Sequence, residues 1–227
     1  MLYDYLRRGL TAGALAGLAL GGYVALVGNP LVERLDDAGH AHGVVAAATT
    51  NFASVAAGVL WGVLLGVVAF GVTYYFLEPA LPGGVVARSY LLGAAGFVTV
   101  SGAPWLVLPP RPPGVEGPLG PDASLALYAG AMLAGALACA LAGAAYRRLR
   151  PRGRAVATGA TGVPLAALLA GAALVPVPGR PVAVDAFLLV VVGGQAGLWC
   201  VLAGANAWLF RRDGGARADA TQLPAAD

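Results

Sequence analysis

The 227-residue chain has no lysine; all 14 of its basic residues are arginine. A P-loop needs a lysine on the phosphates, so this is not a nucleotide-hydrolysing ATPase of that kind. Schiff-base chemistry is excluded for the same reason. Charge of either sign is scarce, at 11% of residues, where a soluble domain carries about 25%. Histidine is scarcer still: there are two, His40 and His42, and both lie in one loop. An intramembrane serine–histidine dyad therefore has no imidazole at membrane depth. The His-Glu-x-x-His motif of intramembrane metalloproteases is absent, as are paired intramembrane aspartates. Two histidines two residues apart cannot clamp a haem from opposite faces. Cys139 and Cys200 sit far apart in apolar segments, and no disulfide is expected between them. No enzyme activity is expected, and no permanently bound cofactor.

What the chain has instead is apolar residue, 59% of the total, with a mean hydropathy of +0.76. Spans are expected at about 9–28, 52–77, 89–108, 124–146, 155–176 and 186–210, each near the length of one tilted membrane helix. Thr49, Thr50 and Asn51 are read as an N-cap, which starts the second span at Phe52. With the N-terminus inside, the inner segments carry Arg7, Arg8, Arg88, Arg147, Arg148, Arg150, Arg152, Arg154, Arg211, Arg212 and Arg217. The outer loops carry only Arg34, Arg111 and Arg180, so the ratio is eleven to three. That bias orients the chain with both termini in the cytoplasm. The expected fold is all-α: a polytopic integral membrane helical bundle of six transmembrane helices in the cell membrane. Residues 1–212 form the transmembrane domain, and 213–227 form a polar cytoplasmic tail expected to be disordered. The net charge of +3 belongs to this orientation, so the bilayer is the expected partner and nucleic acid is not. The first run is followed by further spans, so it does not read as a cleaved signal peptide.

Small residues recur at fourfold spacing. Gly13, Gly17 and Gly21 share one face of span 1, Gly58, Gly62 and Gly66 one face of span 2, and Gly193 and Gly197 one face of span 6. Such faces let helix backbones approach closely where lipid supplies no hydrophobic drive. They also allow a homo-oligomer. Pro104 in span 3 and Pro164 in span 5 each remove a backbone donor and are expected to kink their helices. The loops Pro109–Gly114 and Pro176–Gly179 read as stiff, extended connectors.

The candidate metal ligands lie in the first outer loop. Asn29 and Pro30 read as the N-cap and first residue of a short surface helix over 30–38. Beyond Gly39 an extended strand of chain would turn His40 and His42 to the same side. Glu33, Asp36 and Asp37 could add oxygen ligands, and such a mixed set suits cobalt, nickel or zinc. Two exposed histidines in a polar loop are also what an ordinary loop contains. The surroundings favour capture of cations: the outer face holds six acidic residues and both histidines against three arginines. Within the spans, Gln195, Trp199 and Asn206 share one face of span 6. They line a solute path or, the commoner case, make interhelical hydrogen bonds. Ser101 beside Pro104, with Thr158 and Thr161 in span 5, are further candidates of that kind.

Leu92-Gly93-Ala94-Ala95-Gly96-Phe97, followed by Ala103-Pro104-Trp105 and Leu108-Pro109-Pro110-Arg111-Pro112-Pro113-Gly114, resembles the signature of the CbtA family. Asn29-Pro30-Leu31-Val32-Glu33 and the last span are also similar to that family, although its histidine-rich first loop is reduced here to His40-Ala41-His42. The resemblance implies a membrane component of a cobalt uptake transporter associated with cobalamin, with Co2+ (or Ni2+) as the transported ion. It also implies a small one-span, histidine-rich partner of the CbtB kind. Ser101, Pro104, Gln195 and Asn206 would then belong to the ion path. Two alternatives stand beside this reading. One is the substrate-binding component of an energy-coupling-factor transporter; the other is a non-transporting membrane scaffold or assembly protein.

Overall fold

The computed structural model describes residues 2–35, 44–111, 117, 119–175 and 186–222. Six of its helices are long and apolar enough to cross a membrane: α1 (Leu2–Arg34), α2 (Ala48–Ala80), α3 (Val85–Val107), α4 (Pro121–Arg152), α5 (Arg154–Leu174) and α6 (Ala186–Asp213). No strand occurs among the described residues. A helix rises 1.5 Å per residue, so even the 21 residues of α5 reach across a hydrocarbon core of about 30 Å. The described residues are all-α with six helices able to cross a membrane, as expected.

Three local expectations are revised. Asn29 and Pro30 do not open a separate surface helix, because α1 runs through them by way of a π-helical turn over Val24–Gly28. The Asn29 N–H bonds back five residues to the Val24 carbonyl. The wider turn absorbs the donor that Pro30 lacks. Thr49, Thr50 and Asn51 do not cap the second helix, which is already helical from Val44. Asn51 instead accepts a hydrogen bond from Asn29 Nδ2 at 2.8 Å. The segment expected to be a disordered tail continues the sixth helix as far as Gln222. Its alanines and Arg217 are good helix formers on a helix already nucleated upstream.

The chain divides into two compact units. The first holds residues 1–93 and 196–227: α1, α2, the start of α3 and most of α6. Here the glycine faces of α1 and α2 meet backbone to backbone. A Cβ placed on Gly58 would lie 2.7 Å from the Gly21 Cα, and one on Gly17 would lie 2.7 Å from the Val59 Cα. Only hydrogen fits at such positions. The pattern on α6 behaves differently: Gly193 and Gly197 are exposed, and a Cβ on Gly197 would meet nothing within 4 Å. Close approach to α6 is made by Gly93 of α3, whose added Cβ would come 3.1 Å from the Ala203 Cβ.

The second unit, residues 94–195, pairs α4 with α5 and sets the second half of α3 against α4. The turn between α4 and α5 needs Gly153, whose φ of 120° few other residues adopt. In α3 a π-helical turn over Val98–Gly102 precedes Pro104. Proline at 104 leaves the Val100 carbonyl without its usual i+4 donor, and the Tyr128 hydroxyl of α4 donates to that oxygen at 2.7 Å.

Candidate functional site

Four of the sequence-predicted metal ligands, His40, His42, Asp36 and Asp37, lie outside the described residues. Glu33 is described, exposed near the end of α1. Among the described residues no group of three or more His, Cys, Asp or Glu side chains is placed to hold a metal.

The polar residues expected inside the bundle separate by unit. Ser101 is 3% exposed and Pro104 fully buried, both in the second unit. Gln195, at the end of that unit, buries a side-chain oxygen without a hydrogen-bond partner among the described residues. The second unit also contains a cavity of about 460 Å³ between α4 and α5, reached by Ala103 and Val107. Its lining includes Gly130, Leu137, Pro164 and Leu168, and every lining residue is apolar. A bare cation would find no side-chain ligand there.

In the first unit Asn206, 1% exposed, donates from Nδ2 to the Ser89 Oγ at 2.9 Å. That contact ties α6 to α3 through neutral polar groups. Beside it stands Tyr74 of α2, fully buried, whose hydroxyl has no well-formed hydrogen bond; the Ser89 hydroxyl is its polar neighbour. Trp199, two turns from Asn206 on α6, buries an indole N–H that likewise has no partner among the described residues. Three oxygens or oxygen-bearing groups from three helices thus gather in one buried place, together with unused hydrogen-bonding capacity. Such a cluster can lend ligands to a passing solute or hold water.

Sequence reasoning missed what closes this end of the unit. The Tyr5 hydroxyl donates to the Glu78 carboxylate, and Arg88 Nη1 donates to the other carboxylate oxygen at 3.3 Å. Arg8 Nε donates to Asp213 Oδ2 at 2.7 Å, and Arg7 Nη2 reaches the same oxygen at 3.2 Å. Arg8 is 4% exposed, with its guanidinium 4.2 Å from the Phe210 ring centroid. Tyr5, Tyr74 and Phe210 pack edge to face or tilted around it. A buried arginine is tolerable because a carboxylate and aromatic faces replace its water. In the sequence these arginines serve only as markers of orientation, since nothing local says that an end-of-helix arginine turns inward. A tyrosine-rich, acid-containing helix end (Tyr74-Tyr75-Phe76-Leu77-Glu78) is the one available hint.

Six apolar helices, with their few buried polar groups neutral or paired, define a multi-pass membrane protein. The chain belongs to the CbtA family: the family model described as "Probable cobalt transporter subunit (CbtA)" matches residues 2–211. The match takes in helices α1 to α5 whole and nearly all of α6. Comparison with curated proteins and with solved structures returns no match.

Proposed function

We propose that this chain is the membrane-spanning component of a cobalt uptake transporter, oriented with both termini in the cytoplasm. The observation that carries the reading is the family match over residues 2–211. The buried Asn206–Ser89 pair gives it a physical footing. Cobalt is the cargo. Divalent ions would be concentrated by the acidic outer face and captured by His40 and His42, with Glu33, Asp36 and Asp37 supplying carboxylates. The residues this reading assigns to the ion are Ser101 and Pro104 of α3 and Gln195 and Asn206 of α6. Neutral amide and hydroxyl donors bind a partly hydrated divalent ion weakly, and weak binding lets the ion leave. Nickel fits the same ligands. The family description says subunit, and a one-span histidine-rich membrane protein is the partner this reading assigns.

The experiment is uptake of radioactive cobalt into vesicles containing the purified chain alone, then into vesicles to which a one-span histidine-rich membrane protein has been added. Cobalt accumulation that requires this chain supports the proposal. Vesicles that take up no cobalt with either preparation would refute transport and leave a scaffold role.

A further inference from the structure

Where the first turns of α1 meet the end of α6, a pocket of about 280 Å³ is lined by Arg7, Arg8, Thr11, Leu209, Arg212 and Asp213. Three guanidinium groups face one carboxylate, leaving two positive charges without a counter-charge in the lining. The single carboxylate is already shared, since Arg7 and Arg8 reach the same Asp213 oxygen. Each guanidinium has five N–H donors, of which these ion pairs use one on Arg7 and one on Arg8. Thr11 adds no donor, because its hydroxyl is spent on the Arg7 carbonyl at 2.9 Å. Arg8 is held rigid under Phe210, and Arg212 lies 5.4 Å from the Trp208 ring centroid. The pocket is therefore pre-set for an acceptor with several oxygens and negative charge.

Its surroundings say which acceptor. Trp208 is 49% exposed and Leu10 48% exposed beside the arginines. An exposed tryptophan next to arginines at a helix end is the arrangement of the membrane–water interface. A ligand held here would have charge at the guanidinium groups and apolar chain against Leu10 and Trp208. We infer that this pocket binds the phosphodiester headgroup of an anionic phospholipid. The proposal needs this helix end to lie at a membrane surface but does not depend on which surface, nor on the transported ion. It can fail while the cobalt reading stands, and the reverse.

The test is native mass spectrometry of the full chain released from vesicles of equimolar phosphatidylglycerol and phosphatidylcholine. The wild-type protein is expected to retain phosphatidylglycerol well above phosphatidylcholine. The exposed pair Arg7→Gln with Arg212→Gln should lower that retention roughly tenfold. Arg212→Gln alone leaves both ion pairs of Asp213 in place, so it reads the site even if the double variant is unstable, and it should give part of the loss. The matched control, Arg147→Gln with Arg148→Gln at the end of α4, removes the same charge from exposed positions and should change nothing. Equal retention of the two lipids by the wild type, or equal losses from the two double variants, would overturn the site in favour of diffuse surface charge. Full displacement of phosphatidylglycerol by millimolar inorganic phosphate would overturn the lipid assignment and leave a free-anion site.

Discussion

The Tyr128 hydroxyl donates at 2.7 Å to the Val100 carbonyl, the oxygen that Pro104 deprives of its usual i+4 backbone donor. Proline breaks the helical ladder, and a side chain from the neighbouring helix repairs it. Tyr128→Phe should lower stability in detergent by about 1 kcal/mol. In a Pro104→Ala background an N–H at position 104 competes for the same carbonyl, so Tyr128→Phe should then cost much less. A double-mutant cycle of unfolding midpoints measures the coupling. Equal costs in both backgrounds would mean that the tyrosine is not compensating for the proline.

The glycine faces predict an asymmetry within the chain. A Cβ on Gly62 would lie 2.6 Å from the Gly17 backbone nitrogen, and backbone cannot swing aside as a side chain can. Gly62→Val should therefore cost about 3 kcal/mol or more and reduce the yield of monodisperse protein. Gly197→Val meets open space and should be tolerated. Similar melting temperatures for the two variants would contradict the close α1–α2 contact.

Asn206→Leu removes the donor to Ser89 and replaces it with an apolar group of similar size. Interhelical hydrogen bonds in membranes contribute about 0.6 kcal/mol on average, so the fold should persist. If the amide serves the ion path, cobalt uptake should fall by about tenfold or more at unchanged protein level, against a control of Ser124→Ala outside the path. Parental uptake by Asn206→Leu would reduce the pair to helix packing.

The pH dependence follows from imidazole. Only the neutral ring binds metal, and its ordinary pKa is about 6.5. Capture by His40 and His42 should be largely present at pH 7 and lost as the pH falls toward 5. Replacing both by alanine should weaken uptake most at scarce cobalt and flatten this acid-side decline, while uptake at saturating cobalt approaches the parent's. An unchanged concentration curve would make them ordinary loop residues.

Orientation is checked by labelling. In a background without Cys139 and Cys200, single cysteines at positions 41 and 178 should react with an impermeant thiol reagent added outside intact cells. One at position 150 should not. Reaction at 150 from outside would reverse the assignment of the cytoplasmic face.

Membrane residence, the number of helices and the glycine faces of α1 and α2 were determined by the sequence alone. Each depends on local quantities: the length of an uncharged run, the fourfold spacing of Gly13, Gly17 and Gly21, and the scarcity of polar side chains. Asn206 was legible as a polar residue inside a span, but Ser89, its partner 117 positions away, was not. Periodicity says which face of a helix a residue occupies and says nothing of the helix across from it. The tertiary structure alone decided that Gly93 rather than Gly197 makes the close approach with α6, and that Tyr128 serves the carbonyl that Pro104 deprives of its i+4 donor. It also turned Arg8 inward onto Asp213 and Phe210. An arginine at a helix end is stable either in the headgroups or buried beside a carboxylate. Which of the two prevails is set by whatever the fold brings within about 4 Å of it, in this case a residue 205 positions later in the chain.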